Sequence, residues 1–159
     1  MSMLDSLYQD LILDHSKRPV GKGELANSTG SDYKTASHHE LNPSCGDEIT
    51  LDIAVDNAGR VQELKWRGQG CSISQASASM LAALVAEDKP DTTAAQHLIN
   101  EFRTMLQSRD ENTQPDEKLL GDAVALQGVA KFVMRIKCAM LAWVALEADL
   151  RQIETQQTA

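Results

Sequence analysis

Three short stretches each carry one of the three cysteines of this 159-residue chain: Asn42-Pro-Ser-Cys-Gly-Asp47, Gly68-Gln-Gly-Cys-Ser72 and Arg135-Ile-Lys-Cys-Ala-Met-Leu-Ala-Trp143. Glycine and polar residues flank Cys45 and Cys71, whereas buried structural cysteines usually lie inside apolar runs. Asp47 adds a carboxylate two residues after Cys45, and Gly46 allows a tight turn that points both side chains the same way. These neighbours indicate a reactive or metal-binding site.

Three thiolates and a carboxylate are ligands of the kinds that zinc takes in tetrahedral geometry. The candidate ligands are Cys45, Asp47, Cys71 and Cys138. The same thiols could instead hold iron or an iron–sulfur cluster. Closed structural zinc sites usually contain Cys-x-x-Cys pairs, and this chain has none, so we interpret the site as one that opens to free a reactive thiol. The alternative is three buried structural cysteines.

The predicted secondary structure places two of these thiols side by side. Apolar residues alternate with polar ones along a predicted strand, at Ile49, Leu51, Ile53 and Val55. Asp56-Asn-Ala-Gly59 is typical of a turn, and Leu64 and Trp66 continue the alternation on a second strand. The outer ends of an antiparallel hairpin are adjacent, so we expect Cys45 and Cys71 to meet.

Helices are predicted before and after this hairpin in the sequence. The first has an apolar face at Leu4, Leu7, Tyr8, Leu11 and Ile12 and ends before Pro19. Loop residues follow in 21–30. One helix begins at about Ser72 and stops before Pro90, and the next has its inner face at Ala95, Leu98, Ile99, Phe102, Met105 and Leu106. Asp32 to Glu40 is a weaker strand candidate, on which His38 and His39 face opposite ways and are expected at the surface or hydrogen-bonded, with His39 the better functional candidate.

The C-terminal third is predicted to contain a loop, a short helix and a long helix. Arg109 to Lys118 is polar and predicts an exposed loop, and 119–132 predicts a short helix interrupted near Gly128. The long helix runs from about Val133, on an apolar stripe, to Gln152, and a polar tail begins at about residue 153. Both Cys71 and Cys138 would then lie near helix starts, where the dipole or nearby cations favour thiolate. We expect residues 1–159 to form a single domain.

Composition excludes several classes of function. The formal charge of −8 and the pI of about 4.9 argue against nucleic acid and against an anionic membrane surface. No apolar run reaches the roughly 18 residues of a membrane span. The first residues, Met-Ser-Met-Leu-Asp, do not resemble a signal peptide, so we expect a cytoplasmic protein with free or metal-bound thiols.

The three cysteine stretches, in this order, resemble those of the iron–sulfur assembly family that includes IscU and the N-terminal domain of NifU, as does Leu13-Asp-His-Ser-Lys-Arg-Pro19. Two features resemble the SufU branch. Lys137 stands where the IscU branch has histidine, and 109–132 resembles an extra segment of the SufU branch, with Leu120-Gly-Asp122 and Ala125-Leu-Gln-Gly-Val129 as its recognisable parts. The resemblance implies an α+β fold, in which a small antiparallel sheet of about three strands packs with helices on one side.

The resemblance also implies residue roles. Cys45, Asp47, Cys71 and Cys138 match the family's zinc ligands. Cys45 matches the thiol that accepts persulfide sulfur from a pyridoxal-phosphate-dependent, SufS-like cysteine desulfurase. Arg135 would contact that partner or stabilise charge near the thiols, or would be a solvated arginine at a helix start.

The function implied is a zinc-dependent sulfurtransferase that passes persulfide sulfur towards iron–sulfur cluster assembly and its downstream proteins. The first alternative is a non-enzymatic scaffold on which the cluster is built from the same ligands. Lys137 in place of histidine favours the sulfurtransferase. A further alternative is an adaptor in which zinc is purely structural.

Overall fold

The computed structural model describes residues 3–26, 30–108 and 114–158. The chain forms five α-helices, three strands and one 3₁₀ helix in these residues. In order they are α1 (Met3–Lys17), β1 (Tyr33–Asn42), β2 (Asp47–Asp56), β3 (Val61–Gln69), α2 (Ser72–Asp88), α3 (Thr92–Gln107), α4 (Glu117–Leu120), the 3₁₀ helix (Gly121–Lys131) and α5 (Val133–Thr158). None of the described helices is both long enough and apolar enough to span a membrane.

The three strands form one antiparallel sheet in the order β1-β2-β3. The predicted alternation is confirmed from Glu48 to Ile53, where Ile49, Leu51 and Ile53 are buried and the residues between them are only partly covered, whereas Ala54 on the other face is also buried. Glu48 pairs with Gln69, so the hairpin brings the chain before β2 next to the chain after β3. The weakly predicted strand near 32–40 is observed as β1. The last residue of β1, Asn42, pairs with Asp47.

The helices bury the sheet and supply most of the core. α5 packs against β1 and β2, and α2 packs against β3. All six residues of the predicted inner face of α3 are buried. Phe102 of α3 stacks on Trp143 of α5 with ring centroids 3.9 Å apart, and burying each such ring contributes about 2–3 kcal/mol. This packing confirms the predicted α+β class and fixes α5, which carries Cys138.

Two predictions for the C-terminal third are wrong. The helix predicted over 119–132 is interrupted at Gly121, which has a φ of +52°, and not near Gly128: α4 ends at Leu120 and a 3₁₀ helix continues to Lys131. The residues from about 153 are not a tail, because α5 continues to Thr158 with Ile153 fully buried in the core. Residues 109–113, half of the predicted loop 109–118, and residues 27–29 of the other predicted loop lie outside the described residues.

Two apolar residues assigned to inner helix faces are instead exposed. Leu7 of α1 is 55% exposed, and Val133 at the start of α5 is 58% exposed. Phe132 and Met134, next to Val133, are also exposed. Helical periodicity places Leu7 and Val133 on the apolar stripes of α1 and α5. The elements that bury the rest of each stripe do not extend over these two residues. The start of α5 therefore presents apolar side chains to the surroundings.

A buried histidine ties α1 to α2 and to the 3₁₀ helix. Ser79 Oγ accepts a hydrogen bond from the Val20 N–H at 2.7 Å and lies 2.7 Å from His15 Nδ1. The Asp122 carboxylate next to Nε2 can only accept, so Nε2 of the neutral ring carries the proton and Nδ1 accepts from the Ser79 hydroxyl. The Nε2 N–H donates to Asp122 Oδ2 at 3.1 Å. The extra segment before Cys138 is thus held by a polar network as well as by apolar packing.

We expect His15→Ala to lower the free energy of unfolding by about 2 kcal/mol, because it leaves the buried Ser79 hydroxyl without its acceptor and removes the bond to Asp122. Denaturant unfolding followed by circular dichroism measures the change. Arg18→Ala is the control, because it removes an exposed ion pair of α1 worth less than about 0.5 kcal/mol. Equal effects of both substitutions would contradict a structural role for the network.

Candidate metal and thiol site

A tight turn between β1 and β2 presents Cys45. The Asn42 carbonyl accepts a hydrogen bond from the Gly46 N–H at 2.9 Å, and Asn42 Oδ1 accepts one from the Ser44 N–H at 3.2 Å. Gly46 has a φ of +72°, a conformation that favours glycine. Asn42 is itself buried, with Nδ2 4.0 Å from Cys138 Sγ. Buried Asn42 therefore holds the turn in place through its hydrogen bonds, while the Cys45 side chain stays exposed.

Asp47 and Cys71 meet where β2 begins and β3 has ended. The Cys71 N–H donates to Asp47 Oδ1 at 3.1 Å, and Cys71 Sγ lies 3.6 Å from Oδ2. A Cβ on Gly70 would lie 3.0 Å from the Asp47 carboxylate and would also collide with Ser74. Glycine at position 70 therefore leaves the room that the carboxylate occupies.

Cys138 closes the site from the first turns of α5. Its Sγ lies 3.3 Å from Cys45 Sγ, although the two residues are 93 positions apart in the chain. One potential ligand atom from each of Cys45, Asp47 and Cys138 lies within 4.8 Å of the other two. Cys71 lies beside this group through its contact with Asp47. The structure thus brings all four residues proposed as metal ligands to one place, three of them as a compact group.

Burial and neighbouring groups shift the pKa values of two site residues in opposite directions. Burial raises the pKa of the Cys138 thiol far above its usual value, and hydrogen bonds with Cys45 and Asp47 raise it further. Burial also acts to raise the pKa of Asp47, but hydrogen bonds from the surrounding thiols and the Cys71 N–H outweigh it and lower the pKa. The expectation that nearby cations favour a Cys138 thiolate is therefore wrong for the metal-free protein. Its nearest neighbours are another thiol and a carboxylate.

The donor set fits a zinc ion. Three cysteine sulfurs and one carboxylate oxygen are ligands that zinc accepts, and thiolates also suit iron and iron–sulfur clusters. Asp47 is ready to bind as a carboxylate, whereas Cys138 must first lose its proton. The described residues therefore fit a thiophilic metal better than a hard cation, which prefers an all-oxygen site.

The remaining candidate residues lie outside the compact group. Arg135 is exposed at the start of α5 and lines a pocket together with Cys71. His38 Nε2 bonds Glu40 Oε2 at 2.6 Å, and His39 bonds Glu48 at 3.3 Å, so both histidines have the hydrogen bonds expected of them.

Sequence reasoning missed the structural role of Asn42 and of Gly70. The signal for Asn42 was present, because asparagine before a turn commonly accepts a hydrogen bond from the backbone two residues later. No local signal identifies Gly70. Its importance comes from Asp47, which is distant in sequence and reaches it only through the pairing of β2 with β3.

Comparison with known proteins shows matches over nearly the whole chain. The model of the NifU-like N terminal domain family matches residues 7–156. The zinc-dependent sulfurtransferase SufU of Bacillus subtilis (strain 168) is 41% identical over 151 residues, which cover 95% of this chain and 94% of that protein. The iron–sulfur cluster assembly scaffold protein IscU of Streptococcus pyogenes serotype M1 is 36% identical, covering 99% and 91% of the two chains.

A solved structure supports the fold independently. The crystal structure of the N-terminal part of a nitrogen-fixing NifU-like protein from Brucella abortus superposes with a TM-score of 0.76. The alignment covers 97% of this chain and 99% of the other at 24% sequence identity. At that identity the likeness shows the shared architecture of three strands and surrounding helices, and it carries no argument about activity.

Proposed function

The chain belongs to the family of NifU-like N-terminal domains, and on that basis we propose that it acts in iron–sulfur cluster assembly as a zinc-dependent sulfurtransferase. In this role Cys45 accepts persulfide sulfur from a cysteine desulfurase and passes it on. The relative from Bacillus subtilis is named a zinc-dependent sulfurtransferase, and it shares 41% of its residues with this chain over the aligned region.

The observation that carries the proposal is the difference in exposure among the three thiols. Cys45 is exposed, Cys71 is half-buried and Cys138 is only 1% exposed. A thiol that takes sulfur from another protein must enter that protein's active site, and only Cys45 is placed to do so. Phe132, Val133 and Met134, exposed in the stretch that leads to Cys138, offer apolar contacts to a partner.

Sulfur transfer to Cys45 is a thiol–disulfide exchange. The Cys45 thiolate attacks the outer sulfur of the persulfide on the desulfurase cysteine. A new S–S bond forms on Cys45, the S–S bond on the desulfurase breaks, and the desulfurase cysteine leaves as a thiolate. No external oxidant or reductant is consumed in this step. Arg135, exposed and without an ion pair to any other described residue, is available to a negatively charged group of the partner.

Cys45, Asp47, Cys71 and Cys138 would hold the zinc ion, in keeping with the contacts among them. Zinc bound to these side chains keeps the thiols deprotonated at neutral pH. That chemistry suits the proposal, since the thiolate is the form that attacks sulfur and the metal-free site holds its buried thiol protonated.

Desulfurase turnover tests the proposal. The enzyme, cysteine and a reductant are incubated with and without this protein, and alanine and sulfide are measured. We expect the protein to accelerate turnover, and we expect mass spectrometry of a parallel sample without reductant to find one added sulfur atom on Cys45. Unchanged turnover together with an unmodified Cys45 would contradict the relay.

The alternative of a non-enzymatic scaffold is favoured by the names of relatives such as the Streptococcus pyogenes protein. Metal and acid-labile sulfide in protein purified without oxygen separate the two functions. About one zinc per chain without sulfide supports the relay, since a single four-ligand site binds one ion. Iron together with sulfide supports the scaffold.

We expect zinc binding to release protons and to weaken as the pH falls. The raised pKa of Cys138 means that the metal-free protein keeps this proton at neutral pH, whereas the ligand is the thiolate. Calorimetric titration of metal-free protein in buffers of different ionisation enthalpy measures the number of protons released. Cys138→Ser is the matched variant and should release fewer. A heat of binding independent of the buffer would contradict the expectation.

A further inference from the structure

A pocket of about 720 Å³ opens beside the thiol site. It lies between α1, the start of α2, the end of the 3₁₀ helix and the start of α5. Its walls are mostly apolar, with contributions from Tyr8, Ile12, Ile73, Val129 and Phe132. The volume falls within the roughly 300–1,000 Å³ that is usual for small-molecule sites. The proposed relay uses Phe132 and Arg135 for contacts with the partner but gives the cavity itself no role.

The charged residues that line the pocket are both cations. Lys131 and Arg135 line it, and no acidic side chain among those that the structure describes does so. Neither side chain makes an ion pair with any other residue in the described part of the chain. The whole chain carries a net charge of −8, so the charge at this pocket is opposite in sign to that of the protein as a whole. Arginine and lysine in such a setting bind carboxylates through charge-assisted hydrogen bonds.

Cys71 connects the pocket to the reactive site. It lines the pocket, and its Sγ lies 3.6 Å from Asp47 Oδ2. The Asp47 carboxylate in turn lies within 4.8 Å of Cys45 Sγ. The pocket therefore extends to Cys71, and Asp47 lies between Cys71 and the Cys45 thiol.

We propose that this pocket binds a small thiol bearing one or more carboxylates, and that this thiol takes the sulfur from the Cys45 persulfide. The inference rests on the proposed function, because it supplies the acceptor for the relay. The ligand thiolate attacks the outer sulfur of the persulfide. A new S–S bond forms on the ligand, the bond to Cys45 Sγ breaks, and Cys45 leaves as a thiolate, so the exchange needs no further reagent.

Gly128 allows the pocket to be filled without disturbing the fold. It lines the pocket, its φ lies outside the left-handed region, and a Cβ built on it meets no atom within 4 Å. Gly128→Trp is therefore chosen to place a large side chain at the pocket wall, and Gly128→Ala is the matched control with a small one. Lys131→Gln removes one cation, and Lys118→Gln removes an exposed one outside the pocket.

Binding is measured first with S-methylglutathione, an unreactive carboxylate-bearing analogue, by NMR titration of the zinc-loaded protein. We expect shifts at residues that line the pocket, a loss of affinity of at least about tenfold in Gly128→Trp and about fivefold in Lys131→Gln, and little change in either control. Shifts elsewhere, or equal affinity in all four variants, would overturn the inference. This measurement does not depend on sulfur transfer.

Transfer is measured next, from protein loaded with persulfide on Cys45, to glutathione and to uncharged 2-mercaptoethanol. We expect Gly128→Trp and Lys131→Gln to slow transfer to glutathione only, with loading by the desulfurase unchanged. If both variants instead impair loading and spare transfer, a segment of the desulfurase fills the pocket and the inference is overturned. Failure to load the unaltered protein would contradict the proposed relay and leave the binding result standing.

Discussion

Cys45→Ser is expected to reduce desulfurase stimulation to the level measured without the protein. Cys45 is the exposed thiol of the site, and a serine hydroxyl does not accept sulfane sulfur at neutral pH. Cys138 lies only 3.3 Å away, but it is buried, so it does not replace Cys45 as the nucleophile. The assay is the alanine and sulfide measurement, with mass spectrometry to locate added sulfur.

Two comparisons separate loss of the nucleophile from loss of the fold or the metal. Cys45 is exposed, so the substitution should change the free energy of unfolding of the metal-free protein by less than about 0.5 kcal/mol. Ser44→Ala alters the neighbouring exposed residue and should retain full stimulation. Zinc content is measured on each variant, because Cys45→Ser also removes a proposed ligand. Full stimulation by Cys45→Ser, with the added sulfur on another cysteine, would identify a different acceptor.

Asp149→Asn is expected to raise the free energy of unfolding by about 3 kcal/mol at neutral pH. Asp149 lies on α5 and is fully buried, and neither carboxyl oxygen has a hydrogen-bond partner among the described residues. Burial, with a smaller effect from the charge of Asp52, raises the pKa of Asp149 to about 8. The folded protein therefore keeps a proton that the unfolded chain releases.

The pH dependence of this effect has a defined sign. Below about pH 4 Asp149 is protonated in both states, so it adds no pH-dependent cost. Between about pH 4 and pH 8 only the unfolded state loses the proton, so this residue makes the folded state progressively less stable as the pH rises. Asparagine does not ionise, and the gain from Asp149→Asn should grow over the same interval.

Denaturant unfolding at several pH values measures the difference between the two proteins. Asp10→Asn, at an exposed position of α1, is the matched control and should change stability by less than about 0.5 kcal/mol at every pH. A gain from Asp149→Asn that is constant from about pH 4 to pH 8 would show that Asp149 does not titrate abnormally.

Local sequence was sufficient for the parts of the fold that repeat with a regular period. The alternation at Ile49, Leu51 and Ile53 predicted β2, since only one face of that strand is buried against helices. The spacing from Ala95 to Leu106 predicted the inner face of α3 for the same reason. Residue types next to Cys45, Cys71 and Cys138 predicted a common site, because glycine, carboxylate and helix-start positions are unusual for core cysteines.

Other features depend on contacts between residues far apart in the chain. The 3.3 Å distance between Cys138 Sγ and Cys45 Sγ requires the packing of α5 across β1 and β2. No local sequence pattern predicts that distance. The raised pKa of Cys138 follows from the same packing, which places it beside a thiol and a carboxylate and away from water, although Lys137 precedes it in sequence.

Sequence by itself thus determined the residue types of the site and the elements that carry them, because propensity and period act over a few neighbouring residues. Only the tertiary structure decided which thiol is exposed, that Asp149 is buried without a partner, and that a cationic pocket adjoins Cys71. Exposure and electrostatic environment are sums over every element packed around a side chain, so they are defined only once the chain has folded.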